Sequence, residues 1–255
     1  MKNLESTLAV QTIASMGALA FIVACFTHEV VGHGIGCISE GGHITLLTSV
    51  YFRSDRTSLI TDLSAPFANL IVGVTCWGLL KGRTWFQNQQ TFLVLLMAFN
   101  LFWFSGCLIE TAISNKSDFA YPLRVLSLSQ PWIGRISAAA IGVTTYYFSM
   151  RLVKRYARAQ TPFAIPYFAA GFISCLSVFF FSGPFWPAIR EAALESFGSA
   201  IGLLLLARKG SSKSGVFSST SSTSSAEIAW LTAGLLVTLA FILILGRGIV
   251  LPGHA

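Results

Sequence analysis

Charge is what this chain has least of: 17 Lys or Arg and 10 Asp or Glu in 255 residues, 11% in all, against 54% hydrophobic residues. Soluble domains carry about 25% charge, so the composition excludes an ordinary water-soluble globule. Paired cysteine is also missing. The 5 cysteines, Cys25, Cys37, Cys76, Cys107 and Cys175, are odd in number, show no CxxC spacing and lie mostly in apolar runs. That excludes a disulfide framework and a thiolate zinc site, and leaves them as small buried hydrophobes. A cleavable leader is not expected either: Lys2 is a lone positive charge, and the first apolar run continues past residue 20 into a histidine motif. No internal repeat is detectable.

What remains is a series of long apolar runs. By the ruler of about 20 residues per span, candidates lie at about 7–27, 60–80, 91–112, 132–152, 163–183, 192–207 and 227–246. The sixth is short, opens on Glu191 and Glu195, and follows the Gly183-Pro184 and Trp186-Pro187 breaks, so a re-entrant or half-spanning piece is the alternative to a full span there. The expectation is an all-α polytopic membrane protein of about six to seven helices, residues 1–255 forming a single multi-pass domain. Residues 41–52, mixing turn residues with β-branched and aromatic ones, predict a short strand or hairpin after the first span. The Ser-rich stretch at about 210–225 reads as a linker. The net charge of +7 sits mainly in short loops, which is how membrane topology is written. Lipid is therefore the expected partner and nucleic acid is not. If all seven segments cross, the loops holding Lys81 and Arg83, then Arg151 to Arg158, then Arg208 to Lys213 would be cytoplasmic.

Three of the 4 histidines fall within residues 28–43, and two of them frame His28-Glu29-Val30-Val31-Gly32-His33 at the end of the first run. Ionisable residues in a membrane helix are costly, and their presence is a functional signal. Two imidazoles suit Zn²⁺, with Glu29 beside the metal as general base toward a bound water. The histidines stand at i and i+5, about 140° apart on an ideal helix, so a π-type turn or a helix break is needed to bring them together. Gly32, Gly34 and Gly36 make that distortion affordable. The plainer alternative is a polar helix end followed by a Gly-rich loop.

A catalytic zinc needs a third protein ligand. Asp118, just past the third span, is the leading candidate, with Glu110 and His43 as competitors; its ordinary role would be a loop turn. Ser64-Ala65-Pro66-Phe67-Ala68-Asn69 interrupts the second span, and Asn100 lies in the third. Pro66, Asn69 and Asn100 are assigned to substrate binding, and Ser64 joins the two amides as lining of a polar cavity. The alternative is a kinked helix whose amides bond neighbouring helices.

At these residues the chain resembles the site-2 protease group of intramembrane zinc metalloproteases, the M50-like families. The likeness runs through Thr27-His28-Glu29-Val30-Val31-Gly32-His33-Gly34 with Glu40-Gly41-Gly42-His43, then Ala65-Pro66-Phe67-Ala68-Asn69, then Asn100-Leu101 leading to Asp118. It implies His28, His33 and Asp118 as Zn²⁺ ligands, Glu29 as catalytic residue, and hydrolysis of a membrane-protein or peptide substrate in or near the bilayer. The chain departs from the family pattern in the extra residue between the histidines, in Ala65 where glycine is usual, and in an aspartate with no glycine after it. Two rival readings stand beside it: a noncatalytic metal-binding or scaffolding membrane protein, and a small transporter whose ion or proton route is lined by His28, Glu29, Glu110, Glu191 and Glu195. The sequence leaves the oligomeric state open.

Overall fold

The structure is a computed structural model that describes residues 9–56, 58–126, 130–158, 161–210 and 225–251. Most of the linker foreseen at about 210–225 lies outside the described residues. The chain is mainly helical. In chain order, α1 is Val10–Ser39, one continuous rod with a π turn at Thr27–His33. A hairpin of β1 (Ile44–Leu47) and β2 (Phe52–Ser54) follows, then α2 (Leu59–Gly82), α3 (Gln87–Ser114), the short α4 (Ala120–Leu126) and α5 (Pro131–Tyr156). The second half holds α6 (Ala164–Val178), α7 (Phe185–Ala193), a second π turn at Leu194–Gly198, α8 (Ile201–Gly210), α9 (Ser225–Gly246) and β3 (Ile249–Val250).

Four helices among the described residues are long and apolar enough to cross a membrane: α1, α2, α3 and α9. The expected six to seven spans are therefore not borne out: among the described residues only these four have the length and apolarity to cross. α5 has the length at 26 residues, but Arg135, Arg151, Lys154 and Arg155 dilute it. α6 has only 15 residues, about 22 Å at 1.5 Å per residue against a hydrocarbon core of about 30 Å. The sixth candidate is divided between a π turn and the 10-residue α8.

The centre of the molecule is the contact of α1 with α3. Met16, Phe21, Leu95, Met97 and Phe102 are fully buried there, and the Phe21 ring stacks on Trp103 at 5.8 Å. α2, α6 and α9 pack around α1, and α5 closes over the far side of α3.

The foreseen hairpin forms, and it gains a partner from the other end of the chain. β1 is the middle strand of a three-stranded sheet in the order β2-β1-β3, antiparallel throughout. Leu47 pairs with Phe52 on one side and with Ile249 on the other. Asp55 closes the hairpin: its Oδ1 accepts the His43 backbone N–H at 2.8 Å. That bond, with the His43 imidazole beside it, holds the Asp55 carboxyl below the usual carboxylate range.

Candidate metal centre

The i,i+5 spacing of the histidines is met by a π turn. Thr27–His33 is wound as a π-helix within an otherwise α-helical rod, which adds the one residue needed to put His28 and His33 on the same face, ring centroids 5.0 Å apart. Two side chains bond the backbone around it: the Thr27 hydroxyl donates to the Val23 carbonyl at 2.8 Å, and Ser64 on α2 donates to the Gly32 carbonyl at 2.7 Å. The glycines matter for a reason other than the one expected. Gly32, Gly34 and Gly36 all keep φ outside the left-handed region, so the turn does not use a torsion that only glycine adopts. A Cβ on Gly32 would lie 2.3 Å from the Ala65 Cα, so the small pair lets α2 lie directly against the motif.

Asp118 reaches the histidines through a sharp reversal. Asn115 caps α3 in the left-handed conformation, φ 53°, and its N–H returns to the Thr111 carbonyl at 3.0 Å. Ser117, φ 74°, is a second left-handed residue, a strained torsion of the kind that functional sites retain. Beyond it Asp118 Oδ2 lies 3.1 Å from His28 Nε2, and Oδ1 lies 3.3 Å from His33 Nε2. Burial pushes the Asp118 carboxyl up, but the two imidazoles facing it outweigh that and hold it below the usual range.

The remaining ring nitrogens fix the tautomers. His33 Nδ1 is 2.8 Å from the Thr61 carbonyl, which can only accept, so the proton sits on Nδ1. His28 Nδ1 is 2.7 Å from Asn69 Oδ1. Asn69 spends its amide hydrogens on the Ala24 carbonyl at 3.0 Å and on Asn100 Oδ1 at 2.8 Å, so its oxygen accepts and His28 Nδ1 donates. In the neutral rings both Nε2 lone pairs therefore point at a carboxylate. Each ring thus turns its Nε2 to a different oxygen of the same carboxylate, an arrangement that either a shared proton or a metal ion can satisfy. Trp103 stacks on His28 at 5.1 Å and Phe52 on His33 at 5.1 Å, which holds the ring planes.

Compared with family models, with curated proteins and with solved structures, the chain has no significant match in any of the three.

A cavity of about 510 Å³ opens beside the cluster. Glu29 lines it, 3% exposed, with Oε2 shielded from solvent and without a hydrogen-bond partner. Glu110, Glu191 and Glu195 line the same cavity, so all the residues of the transport reading share one space. Pro66, Asn69 and Asn100, assigned to substrate binding, are not among the residues that line it. Asn69 and Asn100 are fully buried and form a relay from the Leu96 carbonyl through both amides to His28, the alternative role of bonding between helices. Pro66 sits inside α2, buried beside Ala65. Of the competing third ligands, Glu110 faces the cavity, whereas His43 is on the exposed hairpin beside Asp55.

Sequence reasoning missed Cys107. Its Sγ donates to Asp118 Oδ2 at 3.4 Å, and His28, Cys107 and Asp118 each offer a donor atom within 4.8 Å of the other two. Asp118 had been read as a ligand, and Cys107 stands eleven residues before it. Nothing in the local pattern of α3 sets this thiol apart from a core residue.

Proposed function

We propose that the chain is a multi-pass membrane zinc metallopeptidase of site-2 type, in which His28, His33 and Asp118 hold Zn²⁺. The observation that carries the reading is that two Nδ1-protonated imidazoles each turn Nε2 to the same carboxylate, beside a buried glutamate that lines a cavity. Two imidazoles and one carboxylate suit zinc, and three protein ligands leave the fourth position open. When bound, the ion polarises a carbonyl and lowers the pKa of a bound water toward about 7. Glu29, whose side chain lines the cavity, takes the proton of the attacking water on its carboxylate and returns it to the leaving amine. Asn69 and the Thr61 carbonyl keep both rings in the tautomer that presents Nε2.

The hairpin supplies a place for the peptide. β2 is an edge of the sheet, and Phe52, Arg53 and Ser54 line the cavity. An extended substrate segment can add to that edge by backbone hydrogen bonds with its scissile bond beside Glu29. A bilayer setting is supported by the apolar side chains that α2 and α9 leave exposed, Ile71, Val74, Leu235, Leu236, Leu239 and Leu243 among them.

The test is hydrolysis of peptide or membrane-segment substrates by zinc-loaded wild type and Glu29→Gln. The reading predicts unchanged zinc content and a rate lowered by about 10²–10⁴, the usual worth of a positioned general base. Cleavage by Glu29→Gln at the wild-type rate would refute it.

One observation favours a second reading. If Cys107 occupies the fourth position, four protein ligands close the site and make it structural, as a noncatalytic metal-binding protein requires. Cobalt-substituted protein separates the two. A sulfur-to-cobalt charge-transfer band that vanishes in Cys107→Ser supports the closed site, and its absence in wild type supports the open one.

A further inference from the structure

The fold presents two glutamates to the cavity by the same device, and hydrolysis uses only one. Glu29 lies in the π turn at Thr27–His33, and Glu195 lies in the π turn at Leu194–Gly198. The second turn has its own cause. The Ser174 and Ser196 hydroxyls both donate to the Ala192 carbonyl, and the backbone shifts by one residue, so that Ser199 N–H bonds the Leu194 carbonyl at 3.0 Å. Glu195 Oε2, like Glu29 Oε2, is shielded from solvent and has no hydrogen-bond partner. A buried carboxylate without a partner is costly unless something else satisfies it.

The surroundings define what that something is. Glu191, one turn before Glu195, and Glu110 from α3 line the same cavity, and among the described residues none of the three is ion-paired to a Lys or Arg. Carboxylates from Glu29, Asp62, Glu110, Asp118, Glu191 and Glu195 outnumber the three Lys and Arg side chains of the lining. A divalent ion on the histidine side still leaves the lining short of positive charge.

We infer that Glu195, flanked by Glu191 and Glu110, forms a subsite for a cationic side chain, lysine or arginine, of the peptide bound at the metal centre. The inference rests on the peptidase reading above and names its substrate class. The Glu195 carboxylate, which lines the cavity, receives the ammonium or guanidinium in a charge-assisted contact. The peptide backbone meanwhile lies along β2 across the cavity.

Two short peptide hydroxamates test it. They are identical except for lysine or norleucine beside the zinc-binding group, and each is titrated against the zinc-loaded full chain in detergent. The lysine probe is expected to bind at least about tenfold tighter, and this ratio is expected to fall toward one in Glu195→Gln and to shrink in Glu191→Gln, with zinc content as wild type. Equal binding of both probes by wild type, or a preference that survives both substitutions, overturns the subsite and leaves the peptidase reading standing. Failure of the chain to take up zinc or to bind either probe overturns both.

Discussion

At the residue scale, the site is defined by where protons cannot be. A carbonyl fixes the tautomer of His33 and a fully committed amide fixes that of His28, so each ring offers its lone pair to the space in front of Asp118. Asn69→Leu removes the acceptor of His28 and strands Asn100 Oδ1, so metal affinity is expected to fall by about 10–100-fold, read by titration against a competing chelator. Unchanged affinity would mean that the relay does not orient the ring. The two histidines and Glu29 were legible in the sequence because imidazoles and a carboxylate are conspicuous in an apolar run. Cys107 was not legible as a site residue, and Glu195 was legible only as lining for an ion or proton route. A thiol in an apolar helix is indistinguishable from core, and what marks either residue is a neighbour brought in by tertiary packing. Asn69 was legible as a buried amide in need of partners and Asn100 as a bond between helices, but their link to His28 was not, since one sequence cannot say which face of a helix meets another helix.

At the scale of elements, the contact of α1 with α2 decides whether the site forms. Gly32→Ala places a methyl group against the Ala65 backbone. It is expected to destabilise the chain by about 1–3 kcal/mol and to lower zinc uptake with it, measured by thermal unfolding and metal content of the same sample. The need for a π turn was readable from the spacing of His28 and His33, because helix geometry permits few other solutions. The reason for Gly32 was not, since close packing depends on the partner helix. β1 and β2 were readable from residues 41–52, whereas β3, a two-residue strand at Ile249–Val250, carries no local signal of its pairing. The hairpin end makes a pH prediction. Asp55 has a folded pKa below its unfolded value of about 3.9. Its support is therefore complete above that value and is lost as pH falls through the folded one. Hydrogen exchange at the His43 amide, corrected for intrinsic rate, is expected to accelerate on acidification below about pH 4 and to be fast already at neutral pH in Asp55→Ala.

At the scale of the whole molecule, composition made the apolar character plain, and window counting overstated the number of spans. A run of apolar letters looks the same whether it forms a long rod, as in α9, or the 15-residue α6 that stops short of a bilayer width. The membrane reading predicts that the chain stays with the membrane pellet after alkaline carbonate washing and needs detergent for release; recovery in the wash would contradict it. The central claim is the three-ligand metal centre, since hydrolysis, orientation of the rings and recognition of a cationic peptide all depend on it. The most direct test is zinc per chain in detergent-purified, metal-reconstituted wild type beside His28→Ala, His33→Ala and Asp118→Ala, each checked for wild-type helicity. About one zinc in the wild type, from the single donor set, and loss in all three folded variants is the predicted result; a wild type that takes up none from excess metal would contradict the account.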